Sequence, residues 1–347
     1  MNDTLPPVVP PTLAPGPLAR LYRTRPDTVA TLARIWDVVP DARLVGGAVR
    51  DLLCARPVAD MDMATALPPQ EVMARLRAAG VRVVPTGLAH GTVTAVMEGH
   101  PYEIPTLRRA ERTDGRHAQV AWTDDWREDA ARRDFTINAM SCDRAGVVHD
   151  PFGGQADLAA GRVRFVGDAR ARIAEDALRI LRFFRFNARY GGDVPDADAM
   201  AAATALAPMV ERLSVERIWS ELRRILTGPR VMATLALMEC CGILARILPE
   251  GYDLSRLARR VACDGPVDAR LRCAALFVGD MQVVAQRLRL SRADERFVLA
   301  VHAGAVHDGA SGGAMVPRPG MTAHDIARML AADPADILIA RAGVRPG

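Results

Sequence analysis

Polar and apolar positions change rhythm twice along the chain. Over residues 26–39 apolar side chains return at Val29, Leu32, Ile35 and Trp36, the spacing of one helical face. From 43 to about 155 the apolar runs are short and divided by glycine-rich turns: RLVGGAVRD, DMDMAT, VRVVPTG, GTVTAVM and YEIPTL, with a helical stretch at about 69–79 after the second. From 157 onward helical periodicity dominates, over 168–189, 196–210, 214–227, 230–246, 267–275, 280–288, 291–305 and 322–332. The pattern predicts an α+β head with a mixed sheet, followed by an all-helical neck and body. The expected boundaries are a proline-rich arm (1–25), a head (26–156), a neck (157–228) and a helical body with a possibly reduced tail (229–347).

With 347 residues, 50% of them hydrophobic and 25% charged, the chain has a globular composition and enough length for a sizeable core. This excludes a disordered, collagen-like or disulfide-scaffold protein. No run of 18 apolar residues suggests a membrane span, and no charged-then-apolar leader is present, so the expectation is cytoplasmic. The six cysteines show no CxxC spacing and the seven histidines no HxxxH or HExxH spacing, which argues for free buried thiols rather than a zinc site. A net charge of +4 says little about partners, but its make-up says more. All 45 basic residues are arginine, and residues 160–190 hold eight of them against three acids. The guanidinium fork grips phosphates and base edges in a bidentate way that lysine does not.

Four segments carry candidate chemistry. Gly46 and Gly47 follow the apolar Leu44-Val45 and precede Arg50. Glycines after a strand let a backbone approach a ligand, and the next helix offers amide donors to phosphate. Asp60 and Asp62 alternate, so on a strand both carboxylates point to one face, the hard-oxygen set that suits Mg²⁺. Glu103, after a turn, is a candidate third carboxylate or an edge-strand charge. In Arg132-Arg133-Asp134-Phe135-Thr136-Ile137-Asn138, paired arginines suit a triphosphate, and Asp134 and Asn138 suit sugar hydroxyls. In Glu175-Asp176 through Phe186, Arg179, Arg182 and Arg185 recur every third residue. Asp176 and Arg179, read as i,i+3 neighbours on a helix, present acceptors and donors that match the Watson–Crick edge of a base. Each segment alone has a plain reading as a turn, a solvated strand end or a surface ion pair. Ser214 to Leu222 reads as a structural helix capped by Ser214.

Taken together and in this order, the segments over about residues 43–230 resemble the class II tRNA nucleotidyltransferase and bacterial poly(A) polymerase family. The resemblance implies a polymerase-β-like head, a neck with a base-reading helix, and a body that grips tRNA. It assigns Asp60 and Asp62 to Mg²⁺, and Gly47 and Arg50, with Gly46 beside them, to the nucleotide-phosphate loop. It assigns Arg133 to a nucleotide contact, and Asp134 and Asn138 to the ribose. Asp176 and Arg179 match the pair that reads CTP and ATP, with Arg182 and Arg185 completing that site. The implied activity is template-independent addition of CMP and AMP to the tRNA 3′ end, with no membrane or DNA partner. Thr86 to Val93 resembles the TGxxHGTV stretch of CCA-adding enzymes, and a GRRFxLxHV-like stretch of the poly(A) branch is absent. Glu103 to Arg108 and Asp114 to Arg116 resemble a region containing a C-to-A switching loop. Pro105 stands where the family has threonine, His117 where a second arginine is common, and the C-terminal third is hard to match. The alternatives left open are a poly(A) polymerase, a CC- or A-adding specialist, and a catalytically inactive RNA-binding protein.

Overall fold

The computed structural model describes residues 16–58, 60–85, 91–109, 121–262 and 265–306. The chain divides into two compact units, residues 1–167 and 168–347. The first opens with helices α1 (Pro17–Thr24) and α2 (Pro26–Val38), each with proline in its first turn, where the missing N–H costs nothing. Residues 17–24, expected within an arm, are thus helical, and Leu18 and Leu21 are buried. Strand β1 (Arg43–Val45), helix α3 (Gly47–Leu53) and strand β2 (Met63–Ala64) follow. Next come α4 (Pro69–Ala78), β3 (Arg82–Val84), β4 (Thr92–Met97) and β5 (His100–Pro105). The unit ends with α5 (Trp126–Ala131), a 3-10 turn (Thr136–Asn138), β6 (Ser141–Cys142), β7 (Val148–His149) and α6 (Gly154–Ala159).

The strands form two antiparallel sheets, ordered β2-β1-β6-β7 and β3-β4-β5. A parallel bridge between Thr65 and Thr106 ties the end of β2 to the end of β5, and there lies the mixed character that the sequence predicts. Leu32, Ile35, Trp36, Leu44, Val49, Met63, Leu76, Val93 and Ile104 fill the core under both sheets. Trp36 satisfies its indole N–H on the Ala42 carbonyl at 2.7 Å, as a buried ring donor must. Pro105 keeps its place in β5: its carbonyl accepts from the Thr65 amide at 3.1 Å, so pairing with β2 needs no N–H from it.

In the described residues of the second unit the named elements are all helices, with one isolated Tyr252–Phe277 bridge: α7 (Ala169–Glu175), α8 (Leu178–Tyr190), α9 (Ala197–Ala205), a 3-10 segment (Ala207–Arg212), α10 (Val215–Leu226), α11 (Val231–Cys240) and α12 (Leu244–Ile247). It continues with α13 (Leu254–Ala262), α14 (Ala269–Leu276), α15 (Met281–Arg287) and α16 (Arg292–Val306). The expected single helix over 168–189 is broken at Asp176, whose backbone is extended (φ −153°, ψ 106°) between α7 and α8. The expected helix over 230–246 is divided where Gly242 turns with φ +67°. Ser214 occupies the N-cap of α10, but its hydroxyl makes no cap bond. The region 322–332 and the loop 309–320 lie outside the described residues. The described cysteines are free, with Cys142, Cys241 and Cys273 buried, Cys54 half-buried and Cys240 exposed.

Helix α8 buries Ile180, Leu181, Phe183, Phe184 and Phe186. Helix α10, which buries Ile218, Leu222 and Ile225, packs on it, and between the two helices the Arg185 Nε donates to the buried Glu221 carboxylate at 2.5 Å. Burial lowers the Arg185 pKa and the Glu221 charge opposes that shift, so the pair is held together against desolvation. Glu221→Ala would strand this guanidinium and is expected to lower the unfolding free energy by about 3 kcal/mol in urea denaturation. An unchanged midpoint would show that the pair is dispensable.

Candidate active site

The site in the first unit starts from one strand pairing. Leu44 lies opposite Met63, and the Val45 amide donates to the Asp62 carbonyl at 3.0 Å. The end of β1, which runs into Gly46, therefore stands abreast of Asp62. The Thr65–Thr106 bridge brings β5 alongside. Within β5, Tyr102 and Ile104 are buried while Glu103 is exposed on the other face, opposite Thr94. The electrostatics show the result: the Asp62 pKa is raised by burial, then by the charges of Glu103 and Asp60, with Arg133 opposing. Sequence spacing left Glu103 undecided, and the bridge brings it within electrostatic reach of the Asp60–Asp62 pair. Among the described residues no group of three or more His, Cys, Asp and Glu forms a ready cage. Asp60 and Asp62 are hard-oxygen donors, the kind that suits a divalent cation whose shell is completed by water and substrate phosphate.

The glycine pair divides its work. Gly46 adopts φ +62° and ψ −121°, a conformation that L side chains rarely hold, and a Cβ there would lie 2.7 Å from Arg133 Nη1. Its amide donates to the Met140 carbonyl at 3.1 Å, so it serves by its turn and its bareness. The amides of Gly47, Ala48 and Val49 open α3 and have no acceptor within the helix.

Arg133 reaches Gly46 because Asp129 aims it. Asp129, 2% exposed, accepts from Arg132 Nη2 at 2.6 Å, from Arg133 Nη2 at 3.1 Å and from the Arg108 amide at 3.2 Å. Burial alone would raise its pKa, but Arg133, Arg132 and these hydrogen bonds hold it below the ordinary carboxylate value. Asp129 escaped the sequence reading. Its signal was an acid three and four residues before paired arginines, which an exposed ion pair shares.

Arg50, Asp134 and Asn138 meet in a buried chain under the loop. Arg50 Nη1 donates to Asn138 Oδ1, Asn138 Nδ2 to Asp134 Oδ1 at 3.0 Å, and the Phe135 amide to the same oxygen at 2.9 Å. Arg50 also pairs with Asp51 at 3.1 Å. Beside this group lies an open cavity of about 410 Å³, bordered by Arg43, Trp126, Arg133, Met140 and His149. The Arg43 guanidinium sits 4.1 Å from the Trp126 ring centroid. The sequence reading singled out neither residue, and no local pattern marks them. Of the TGxxHGTV-like stretch, Thr86 to His90 lie outside the described residues, as do Asp114, Gly115, Arg116 and His117.

In the second unit the predicted base-reading residues take different partners from those the helix spacing suggests. Both Asp176 oxygens accept from Arg217 Nη2, at 3.0 and 2.8 Å, and Oδ1 also accepts from the Leu178 amide at 3.0 Å. Arg179 Nη1 donates to Glu175 at 2.6 Å and to the Arg172 carbonyl at 2.8 Å. Arg182 and Arg185 lie over the Phe186 ring at 5.4 and 4.3 Å. Arg217 and Glu221, which the sequence reading left in a plain structural helix, thus contact two of the predicted residues.

Comparison with known proteins agrees with this architecture. Residues 42–164 match the Poly A polymerase head domain, and residues 195–254 the probable RNA and SrmB-binding site of polymerase A. The chain is 38% identical over 268 residues to the mitochondrial CCA tRNA nucleotidyltransferase 1 of Danio rerio, covering 75% of this chain and 62% of that protein. It is 40% identical over 228 residues to the CCA-adding enzyme of Geobacillus thermodenitrificans, covering 64% and 54%. The chain therefore spans less than two thirds of the length of these relatives. Among solved structures, the CCA-adding enzyme of Bacillus stearothermophilus in complex with CTP is similar, with 31% identity and a TM-score of 0.67. That match covers 82% of this chain and 71% of the other.

The raised Asp62 pKa has a sign that stability can report. Without metal, an ionised Asp62 destabilises the native state at pH 7, and the penalty fades as pH falls through its folded pKa. Asp62 is exposed to solvent, which screens the penalty, so Asp62→Asn is expected to raise the thermal midpoint at pH 7 only slightly, with the gap closing toward acid pH. Added Mg²⁺ should stabilise the native protein and not the variant. A variant less stable at pH 7 would contradict the crowding of carboxylates.

Proposed function

From the premise that the chain belongs to the family of class II CCA-adding tRNA nucleotidyltransferases and bacterial poly(A) polymerases, we propose that it adds CMP and AMP to the 3′ end of tRNA. CTP and ATP are the proposed donors and pyrophosphate the leaving group. The reading is supported by the β1–β2 pairing that sets the Gly46 turn abreast of Asp62, where the charges of Glu103, Asp60 and Arg133 are all felt.

In this reading the RNA 3′-oxygen forms a bond to the α-phosphorus as the bond to the β-phosphate oxygen breaks. A divalent cation, proposed as Mg²⁺, would be held by Asp60 and Asp62 and would supply activation of the hydroxyl and neutralisation of phosphate charge. Glu103 is the proposed third carboxylate. The Gly47 amide and Arg133 receive the triphosphate, with Arg133 held by Asp129 and the turn held open by Gly46. Arg50, Asn138 and Asp134 form the rigid floor, and Asp134 and Asn138 are the proposed ribose contacts. Catalysis then rests on positioning and charge stabilisation.

Base choice is proposed for Asp176 and Arg179, with Arg182 and Arg185 supporting the nucleotide. Cytosine and adenine each offer an amino donor next to a ring-nitrogen acceptor, which matches a carboxylate beside a guanidinium. Guanine and uracil reverse that order and leave buried polar groups unpaired. The arginine-rich helices are proposed to follow the tRNA by phosphate contact and shape. Among the described residues no helix is long and apolar enough to cross a membrane. Cytoplasm is the proposed compartment, and the mitochondrial name of the zebrafish relative makes the mitochondrial matrix the alternative that organelle fractionation would reveal.

The deciding assay incubates the protein with Mg²⁺ and tRNA lacking CCA, with labelled CTP, ATP or both. Two cytidines, one adenosine and a stop are expected, and Asp60→Ala should abolish addition. An adenosine ladder from ATP alone would assign the poly(A) branch, and cytidines without adenosine a CC-adding specialist. RNA binding without turnover would overturn the enzymatic reading.

A further inference from the structure

We propose that the cavity between α5 and the β1-β6-β7 face is a phosphate-binding subsite separate from the Gly46 turn, with the Arg43 guanidinium and the Ser141 hydroxyl as its donors. Strand pairing puts the two side chains together. Val45 lies opposite Ser141, and Ser141 opposite His149, so the three share one face of the sheet. Arg43, two residues before Val45, belongs to the same face. Leu44 and Cys142 turn the other way, into the core. The start of α5 covers the face: Trp126 packs on the cluster of Val45, Ala64 and Leu107, and the Arg43 guanidinium lies 4.1 Å from its ring centroid. The space left between them is the cavity of about 410 Å³.

Three arginines and three aspartates border this cavity, so net charge does not decide what it holds. Which groups are already engaged does. Asp125 accepts from the Arg127 amide at 2.7 Å, Asp150 from the Gly154 and Gln155 amides at 2.7 and 2.8 Å, and Asp129 holds Arg132 and Arg133. His149 pairs with Asp143 at 2.8 Å, and Arg127 donates to the Pro151 carbonyl at 3.3 Å. Arg43 differs: among the described residues its guanidinium has the Trp126 ring and makes no hydrogen bond or ion pair. Two acids, Asp143 and Asp41, act on it through their charge, but His149 engages the first and the Thr65 hydroxyl the second. Burial lowers the Arg43 pKa, and those charges offset this only in part. The Ser141 hydroxyl, 7% exposed, also has no hydrogen bond among the described residues. A guanidinium fork held flat against a ring, with a hydroxyl on the same wall, suits the oxygens of a phosphate. Arg133 borders the cavity and also reaches Gly46, so the space runs on from the proposed triphosphate position. On the proposed reading of the protein, that phosphate belongs to the RNA backbone near its 3′ end or to the departing pyrophosphate.

Calorimetric titration without Mg²⁺ tests this and needs no turnover. The titrants are CTP, sodium pyrophosphate and tRNA lacking CCA, on the native protein, Arg43→Gln and Ser141→Ala. CTP should bind every variant within about twofold of native, because its triphosphate is proposed to lie on Gly47 and Arg133. Pyrophosphate, tRNA or both should bind about tenfold more weakly to Arg43→Gln and about threefold more weakly to Ser141→Ala. A loss confined to tRNA, with the slope of log K against log salt reduced by roughly 0.7–0.9, assigns the RNA backbone. A loss confined to pyrophosphate assigns the leaving group. Affinities for both within about twofold of native in Arg43→Gln would overturn the proposal. So would an equal loss for all three titrants, which would make Arg43 a prop of the triphosphate turn. Ser141→Ala carries the test should Arg43→Gln fail to fold. Loss of tRNA or pyrophosphate binding in a protein whose native form adds no nucleotide would keep the subsite and remove only the transfer reading.

Discussion

The hydrogen bond from the Val45 amide to the Asp62 carbonyl sets two opposed charge groups side by side. Through it a glycine turn and a carboxylate pair become neighbours, although helix α3 lies between them in sequence. The Thr65–Thr106 bridge adds Glu103 to the carboxylate side. Asp129 adds Arg133 to the other. The like charges that raise the Asp62 pKa are tolerable because Arg133 opposes them and because such a group gains most when a cation binds.

The helical unit applies similar economy. The chain has no lysine, and its arginines serve as structural forks as well as surface charges. Arg230 donates to the carbonyls of Asn187, Ala188, Gly191 and Gly192, closing the end of α8. Arg185 is matched by a buried glutamate on α10. Packing of α8 on α10 thus holds the segment that carries Asp176 and Arg179, and α10 also supplies the cation that meets Asp176.

Local periodicity made much of this legible. Alternation and glycine turns marked the head, and helical spacing marked α2, α4, α10, α15 and α16 closely. The Asp60–Asp62 pair and the glycine pair were visible because each needs only neighbours in sequence. The break at Asp176 was not: the arginine rhythm runs through it unchanged, while the deciding bonds are an aspartate–amide turn and a guanidinium 41 residues away. Arg217 and Glu221 gave no signal because their partners are distant in sequence. Asp129 had a helical signature, but spacing cannot tell a buried anchor from a solvated ion pair. The fate of Glu103 turned on one strand bridge that no local pattern encodes.

The carboxylates and the glycine–arginine turn are proposed to form a single nucleotide site. The most direct measurement is an anomalous-scattering map from crystals grown with CTP and Mn²⁺. Manganese is expected on Asp60 and Asp62, with the triphosphate against the Gly47 amide and Arg133. A triphosphate bound elsewhere on the molecule, or bound with no metal at these aspartates, would contradict it.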